Sequence, residues 1–340
     1  MSAGNRAISG ASAHVAVFNL LRRAGRRIVT STIAGPLLGL VVLVIVFGVW
    51  SPVFLTPRNI SQIAQQVMEV GTLAIGQTMI IMTAGIDLAN GAIMVLGSVV
   101  MAKLATETGV SPAVAIVGGL AVTTALASVS GGLAVGLRLP PFIVTLGMLN
   151  IVTAVTLLHT HGTQIQGLPP ALIALGNSVQ IGSAAIPIGP LIMLGVVAIV
   201  WYLMSQTAWG RHLRAIGSSE ETARVAGIKT GRHLISVYAL AGLIYGVAAL
   251  MVLGRTAVGD PQAGATDNLD SIAAVVIGGT SLFGGRGTVI GTLIGAIVIG
   301  VIANGLTLVG IDALWQYVAT GTIVITAVAL DQTMRRRKHR

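Results

Sequence analysis

Apolar positions in this chain gather into long blocks, and the polar positions between them form short, mostly basic clusters. No Asp, Glu, Lys or Arg stands between Ile28 and Pro57, Leu139 and Gly210, His233 and Gly254, Gly287 and Ile311, or Ala313 and Leu330. A helix needs roughly 20 residues to cross the hydrocarbon core of a bilayer. Each run therefore holds at least one crossing, and the longest holds two with a loop. The pattern predicts ten spans, at 33–50, 60–84, 87–104, 113–135, 142–159, 189–205, 234–254, 270–283, 288–309 and 314–331. The third opens on Asp87, and the eighth is short and bounded by glycine. A segment of that kind is expected to be a broken or tilted helix buried inside protein rather than one facing lipid.

Composition sharpens this picture. Of 340 residues, 54% are hydrophobic and 9% charged, against about 25% charged in a soluble domain. That deficit excludes an ordinary soluble enzyme and predicts an all-α, polytopic membrane protein. The 44 glycines suit closely packed membrane helices. Absence of cysteine excludes a disulfide framework, a thiolate metal site and a cysteine nucleophile. A net charge of +10 would suit nucleic acid if it were spread over one face, but here it sits in interhelical segments, so no nucleic-acid partner is expected.

The positive-inside rule sets the orientation. With both termini cytoplasmic, the cytoplasmic segments hold Arg22, Arg23, Arg26, Arg27, Arg138, Arg211, Arg214, Arg224, Lys229, Arg232, Arg286 and the basic end at 335–340, while Arg58, Lys103 and Arg255 fall outside. Asp260, Asp267, Asp270 and Asp312 then lie on the outer side. Residues 1–30 read as a basic cytoplasmic tail, 31–334 as the transmembrane domain and 335–340 as a second basic tail. The run from Ile33 to Trp50 is long enough to span and ends at Trp50-Ser51-Pro52 without an Ala-x-Ala cleavage pattern, so it reads as an uncleaved first span.

Motifs for chemistry are few. No G-x-x-x-x-G-K-[ST] phosphate loop is present, nor H-E-x-x-H or G-x-S-x-G. The stretch from Gly278 to Gly287 lacks the Lys-Ser/Thr end of a phosphate loop and reads as a tight turn between two spans. Gly287, Gly291 and Gly295 then make one smooth helix face for close packing. The segment from Ile80 to Gly91 and that from Val275 to Gly287 both run span, small-residue break, span. Their similarity is slight and fits duplication and chance alike. The longest cytoplasmic loop, about 207–233, contains Gly217-Ser218-Ser219-Glu220-Glu221-Thr222-Ala223-Arg224-Val225-Ala226-Gly227. Two serines followed by two acids start a helix, and Gly227 is placed to end it. Such a helix suits docking to a soluble partner, and a plain solvated connector would read the same way.

Several long motifs in order resemble one family. They are Thr83-Ala84-Gly85-Ile86-Asp87-Leu88, the stretch Leu139 to Met148, the loop from Gly217 to Gly227, and Ile272 to Gly279 followed by Ser281 to Gly287. From about residue 55 to 331 the chain resembles the permease subunit of ribose-type ATP-binding-cassette sugar importers, nearest in wording to fructose permeases. The first 30 residues carry no resemblance. The likeness implies a ten-helix permease paired with a second permease subunit, two cytoplasmic ATPase domains and an extracytoplasmic sugar-binding protein, in the bacterial inner membrane. No cofactor is implied for this chain, since ATP is used by the partner ATPase. Gly217, Glu220, Glu221, Ala223, Arg224 and Gly227 would form the loop that couples to the ATPase. The sequence departs from the family pattern at Ala84, at Ala89-Asn90 and at Thr222.

A neutral, hydroxylated sugar calls for hydrogen-bonding and aromatic side chains along its path. Candidates are Gln65, Gln66, Gln77, Thr78, Thr83, Asp87, Asn90, Phe142, Thr145, Asn150 and Asn304. Each Thr can equally back-bond to its own helix, while Asn and Gln are expected to turn inward. Glu69 is the one plainly intramembrane acid, which makes it a functional candidate; a helix–helix hydrogen bond suits the position equally. Asp87 is expected to cap the third span or serve a hinge, and His159 and His161 to be solvated. The competing reading is an ion-coupled secondary sugar transporter, which usually keeps several embedded ionisable groups.

Overall fold

The computed structural model describes residues 33–326 apart from 182, 183, 265, 313, 316, 320, 323 and 324. Both expected tails and part of the tenth span lie outside the described residues. In chain order the elements are α1 (Ala34–Trp50), α2 (Pro57–Met82), α3 (Asn90–Glu107), α4 (Pro112–Gly136), α5 (Pro141–Thr160), α6 (Pro170–Ile173), β1 (Ser178–Ile181), β2 (Ala184–Pro187), α7 (Ile188–Gln206), α8 (Ala208–Ser218), α9 (Glu220–Val225), α10 (Thr230–Thr256), α11 (Asp267–Ile277) and α12 (Val289–Leu308).

Helix starts follow local chemistry. Pro57, Pro112, Pro141 and Pro170 each stand at the opening of a helix, where a missing N–H costs nothing. The hydroxyls of Thr56, Ser111, Thr207, Ser219 and Thr288 accept from first-turn amides of α2, α4, α8, α9 and α12, the role expected of N-cap residues. Five helices, α4, α5, α7, α10 and α12, are long and apolar enough to cross a membrane. α2 is also long, but Arg58, Glu69 and its glutamines lower its hydropathy.

α2 and α10 form the centre of the bundle. α2 is buried almost without interruption from Val67 to Met82. Glycines let α10 approach α4 closely: a Cβ at Gly242 or Gly246 would meet the α4 backbone at Thr124 and Leu120. The Gly291 and Gly295 face of α12 is seated against the carbonyls of Ala274 in α11 and Gly278 just after it, while Gly287, expected in the same stripe, precedes α12. α5 and α7 leave most of their surface exposed, with Ile143, Ile151, Leu158, Leu194 and Ile199 outward.

Three departures from the expected layout matter. The eighth span, expected at 270–283, is an 11-residue helix ending at Ile277, because the glycines from 278 onward form a turn. The third begins at Asn90 rather than Asp87, leaving residues 83–89 without regular structure. The all-α expectation also gives way between α6 and α7, where β1 and β2 pair antiparallel with Ser178 opposite Pro187.

Candidate functional site

The starts of two interrupted helices meet inside the bundle. Asn90, first residue of α3, donates from Nδ2 to Ser271 Oγ of α11 at 2.7 Å and reaches Gln77 Oε1 of α2 at 3.5 Å. Asn268 of α11 donates from Nδ2 to the Leu88 carbonyl at 3.1 Å. A Cβ at Gly91 would stand 3.1 Å from the Asn268 amide nitrogen, a tight contact that glycine relieves. Gln77, Asn90 and Ser271 are fully buried, and Gln77 Nε2 has no acceptor. Interrupted helices whose N-termini converge inside the membrane are a recurring way to build a transport site.

The irregular segment 83–89 leading into α3 is pinned from three sides. Thr145 Oγ1 of α5 donates to the Ile86 carbonyl at 3.0 Å. Tyr245 of α10 donates its hydroxyl to Asp87 Oδ2 at 3.1 Å, and the Ala89 amide donates to Asp87 Oδ1 at 2.8 Å. The third tie is the Asn268 bond to Leu88. Asp87 is therefore an internal anchor. The expected N-cap role is not seen, because Ala89 occupies that position without a side-chain cap.

At the end of α2 a second junction joins three parts of the chain. The Gly285 amide donates to the Met82 carbonyl at 2.9 Å, which ties the two glycine-containing turns together. Gly217, in the last turn of α8, sits directly over both: a Cβ there would fall on the Met82 carbonyl and 2.6 Å from the Gly285 nitrogen. Gly285 has a φ of +73°, open to glycine without strain. From this platform the chain turns at Ser219 into α9. Ser219 Oγ accepts from the Thr222 amide at 3.2 Å, and Glu220 and Glu221 occupy the first turn. Gly227, at φ +85°, closes the helix as expected. Ala223 is buried, whereas Glu220, Glu221 and Arg224 are exposed and Val225 is 85% exposed. α9 thus faces water with an apolar side chain flanked by charges.

Residues 59–328 match the family described as branched-chain amino acid transport system / permease component. The chain belongs to this permease family. It is 40% identical to the fructose import permease of Rhizobium meliloti over 97% of this chain and 95% of that one. That alignment reaches into the first 30 residues, where no resemblance was expected. Identity is 39% with the ribose import permease of Bacillus subtilis, over 88% of this chain and 92% of that one. With the D-allose transport system permease of Escherichia coli it is 35%, over 86% and 89%. No solved structure matches the chain. A multi-pass permease of the inner membrane, and not an enzyme, is the reading these matches carry.

The other expected path residues of this permease divide between structural and exposed positions. Asn304 of α12 and Asn59 of α2 exchange reciprocal side-chain bonds at 2.9 and 3.0 Å, both buried, so Asn304 fastens two helices. Glu69 accepts from Arg255 Nε at 2.8 Å and pairs with its Nη2 at 2.7 Å, which is the helix–helix bond rather than a free acid. Thr78 shares a hydroxyl bond with Thr292 at 2.7 Å, and Thr83 back-bonds to Ile80. Gln66 and Phe142 are exposed. Asn150 is exposed too, not turned inward, and donates to its own helix at Leu146. His159 and His161 are exposed. Ser271, Asn268 and Arg255 were missed by the sequence reading: each acts on a partner about 180 residues away, which no local pattern displays.

Proposed function

We propose that the chain is the membrane-spanning subunit of an ATP-driven importer of a monosaccharide of the fructose, ribose or xylose type. A second copy of this permease completes the pathway, an extracytoplasmic binding protein delivers the sugar, and a cytoplasmic ATPase supplies the power stroke. The chain crosses the membrane ten times with both termini cytoplasmic. Residues 31–334 form the permease domain, and the loop at about 207–233 is the cytoplasmic contact.

The observation that carries this reading is α9. A six-residue helix with one apolar and three charged side chains in water is not stabilised by helix propensity alone. It is held by its cap, by buried Ala223 and by the α8 platform on Met82 and Gly285. Exposed Arg224 is of the type enriched among the residues that carry binding energy at interfaces. Gly217, Glu220, Glu221, Ala223, Arg224 and Gly227 are the coupling residues on this reading. ATP closure of the ATPase pair moves α9, and the bundle rocks to open its polar centre at Gln77, Asn90 and Ser271 to the binding protein.

Proteoliposomes holding the permease with its ATPase and binding protein test this, with labelled fructose, ribose and xylose. One arm receives ATP at the ATPase face and the other only an ion gradient. Uptake is expected with ATP and binding protein alone, and uptake on the gradient would overturn the reading. Glu221→Ala and Gly227→Pro are expected to abolish binding-protein stimulation of hydrolysis while leaving the permease folded. Normal stimulation in both would remove α9 from the coupling role.

A further inference from the structure

A cavity of about 280 Å3 opens beside the junction of α3 and α11. Its lining includes Gly91 of α3, Thr153 and Thr156 of α5, and Pro261, Gln262 and Asn268. The size lies near the small end of ligand pockets, the scale of a single sugar ring rather than an oligosaccharide.

The lining differs from its surroundings. α5 exposes Ile143, Leu146, Ile151, Val155 and Leu158, the surface of a helix against lipid. Only on the side facing α3 does it turn Thr153 and Thr156 toward a cavity. Thr145, Thr156 and Thr160 each spend their hydroxyl on a backbone carbonyl, whereas among the described residues none partners the hydroxyl of Thr153, which is exposed. The side chain of Gln262 likewise has none, so these two groups offer donors and acceptors in hydrogen-bonding chemistry and no net charge. The floor is made by the starts of α3 and α11, where the amides of Gly91 and Leu269 are taken by the side-chain oxygens of Asn90 and Asn268, so the ligand-facing polar groups are those of the walls.

We infer that this cavity is a sugar-binding chamber of the single permease subunit, with Thr153 and Gln262 contacting the hydroxyls of a neutral monosaccharide. This rests on the importer reading above and adds the place where the sugar is held. A neutral ligand fits because no charged side chain lines the cavity. Pro261, Leu149 and Val95 in the lining supply apolar surface for the C–H face of the ring.

The natural chain has no cysteine, so Thr153→Cys gives a single thiol in the full complex. In proteoliposomes with ATPase and binding protein, this thiol is expected to react with a charged, membrane-impermeant reagent added from the binding-protein side. Sugar delivered by loaded binding protein is expected to slow labelling several-fold. Reaction only with a lipophilic maleimide, reaction indifferent to sugar, or no reaction would each overturn the chamber. A second variant, Thr153→Val with Gln262→Leu, is expected to lower uptake at limiting sugar about tenfold, the factor carried by two neutral hydrogen bonds. Unchanged uptake in this double variant also overturns the chamber. Loss of ATP-dependent uptake in the unmodified chain would instead overturn the importer reading, so the two failures are separable.

Discussion

Gly217→Ala is the most direct perturbation of the contact between α8 and the bundle. A Cβ at 217 would stand 2.6 Å from the Gly285 nitrogen, against an ordinary contact of at least 3.4 Å, and closer still to the Met82 carbonyl. Both neighbours are backbone, so no side chain can swing aside. The surfaces must separate by more than about 0.8 Å, the shortfall at Gly285 alone, because the Met82 carbonyl is closer still, and overpacking of this kind costs about 1–3 kcal/mol. The hydrogen bond from Gly285 to Met82 would be stretched in the process, which places the loss near 2 kcal/mol. α9 follows α8 after a single residue, so the same shift carries the docking helix with it. Displacements of about 1 Å at a positioned group can cost up to about 100-fold in rate.

Thermal unfolding of the purified permease and sugar uptake per ATP in proteoliposomes read the two effects separately. A lowered midpoint with at least tenfold weaker coupled uptake is expected. Gly132→Ala is the control, since a Cβ there meets nothing within 4 Å; it is expected to leave uptake unchanged and the midpoint level or slightly raised, by about 0.5–1 kcal/mol, the gain of Ala over Gly in a helix. Wild-type stability and uptake in Gly217→Ala would refute the argument that this contact is closed. Gly285→Ala puts a side chain at φ +73°, a strain of about 1–3 kcal/mol, and is expected to lower the midpoint by a comparable amount.

Three other outcomes follow from the geometry. Ala84→Gly is expected to stabilise the fold by about 1 kcal/mol in denaturant titration: Ala84 has φ +63°, a strain of about 1–3 kcal/mol, offset by about 0.4–1 kcal/mol of unfolded-chain freedom. Arg255→Met leaves Glu69, 4% exposed, without its cation and is expected to cost about 3 kcal/mol. The double variant with Glu69→Gln is expected to recover most of that loss, and equal loss in both would refute a pairing role. Asn304→Leu removes both bonds to Asn59. Intramembrane side-chain bonds average about 0.6 kcal/mol each, so a loss of about 1–2 kcal/mol is expected with sugar preference unchanged in competition uptake; an altered preference would return Asn304 to the sugar path.

Local chemistry made much of this permease legible. Gly291 and Gly295 of the expected stripe and the Ser219-to-Gly227 helix depend on neighbours within a turn or two and are found where the sequence places them, whereas Gly287 precedes α12. α8 was passed over because its length and charge resemble a loop; only the Thr207 cap marks its start. Pairings across the bundle were hidden by distance along the chain. Glu69 and Arg255 stand 186 positions apart, and Asn59 and Asn304 stand 245 apart. A polar residue in an apolar run announces that it needs a partner, not which partner, so the sequence left Glu69 open between path and helix–helix bond and did not display the bond of Asn304 to Asn59. Thr153 illustrates the opposite error. It looks like any helical threonine, and only the structure shows its hydroxyl without a helix carbonyl.

The placement of the segment 83–89 explains how these parts can work as one device. One end is Met82, whose carbonyl is held by Gly285 beneath Gly217. The other is Asn90, whose side chain holds Ser271 and whose neighbour Gly91 lines the cavity. Between them are seven residues without regular structure, so no ladder of helical hydrogen bonds must break for the segment to move. It is instead held by side chains from α5, α10 and α11, through Thr145, Tyr245 and Asn268. A continuous α2–α3 helix would isolate the α9 platform from the polar centre behind a rigid rod. An unpinned loop would absorb any displacement. A short irregular segment clamped by three long-range bonds does neither: a shift at Gly217 must either stretch those clamps or carry the start of α3, and with it one wall of the cavity. The broken third span, which weakens the membrane-crossing signal in the sequence, is on this argument what lets α9 and the cavity answer to each other.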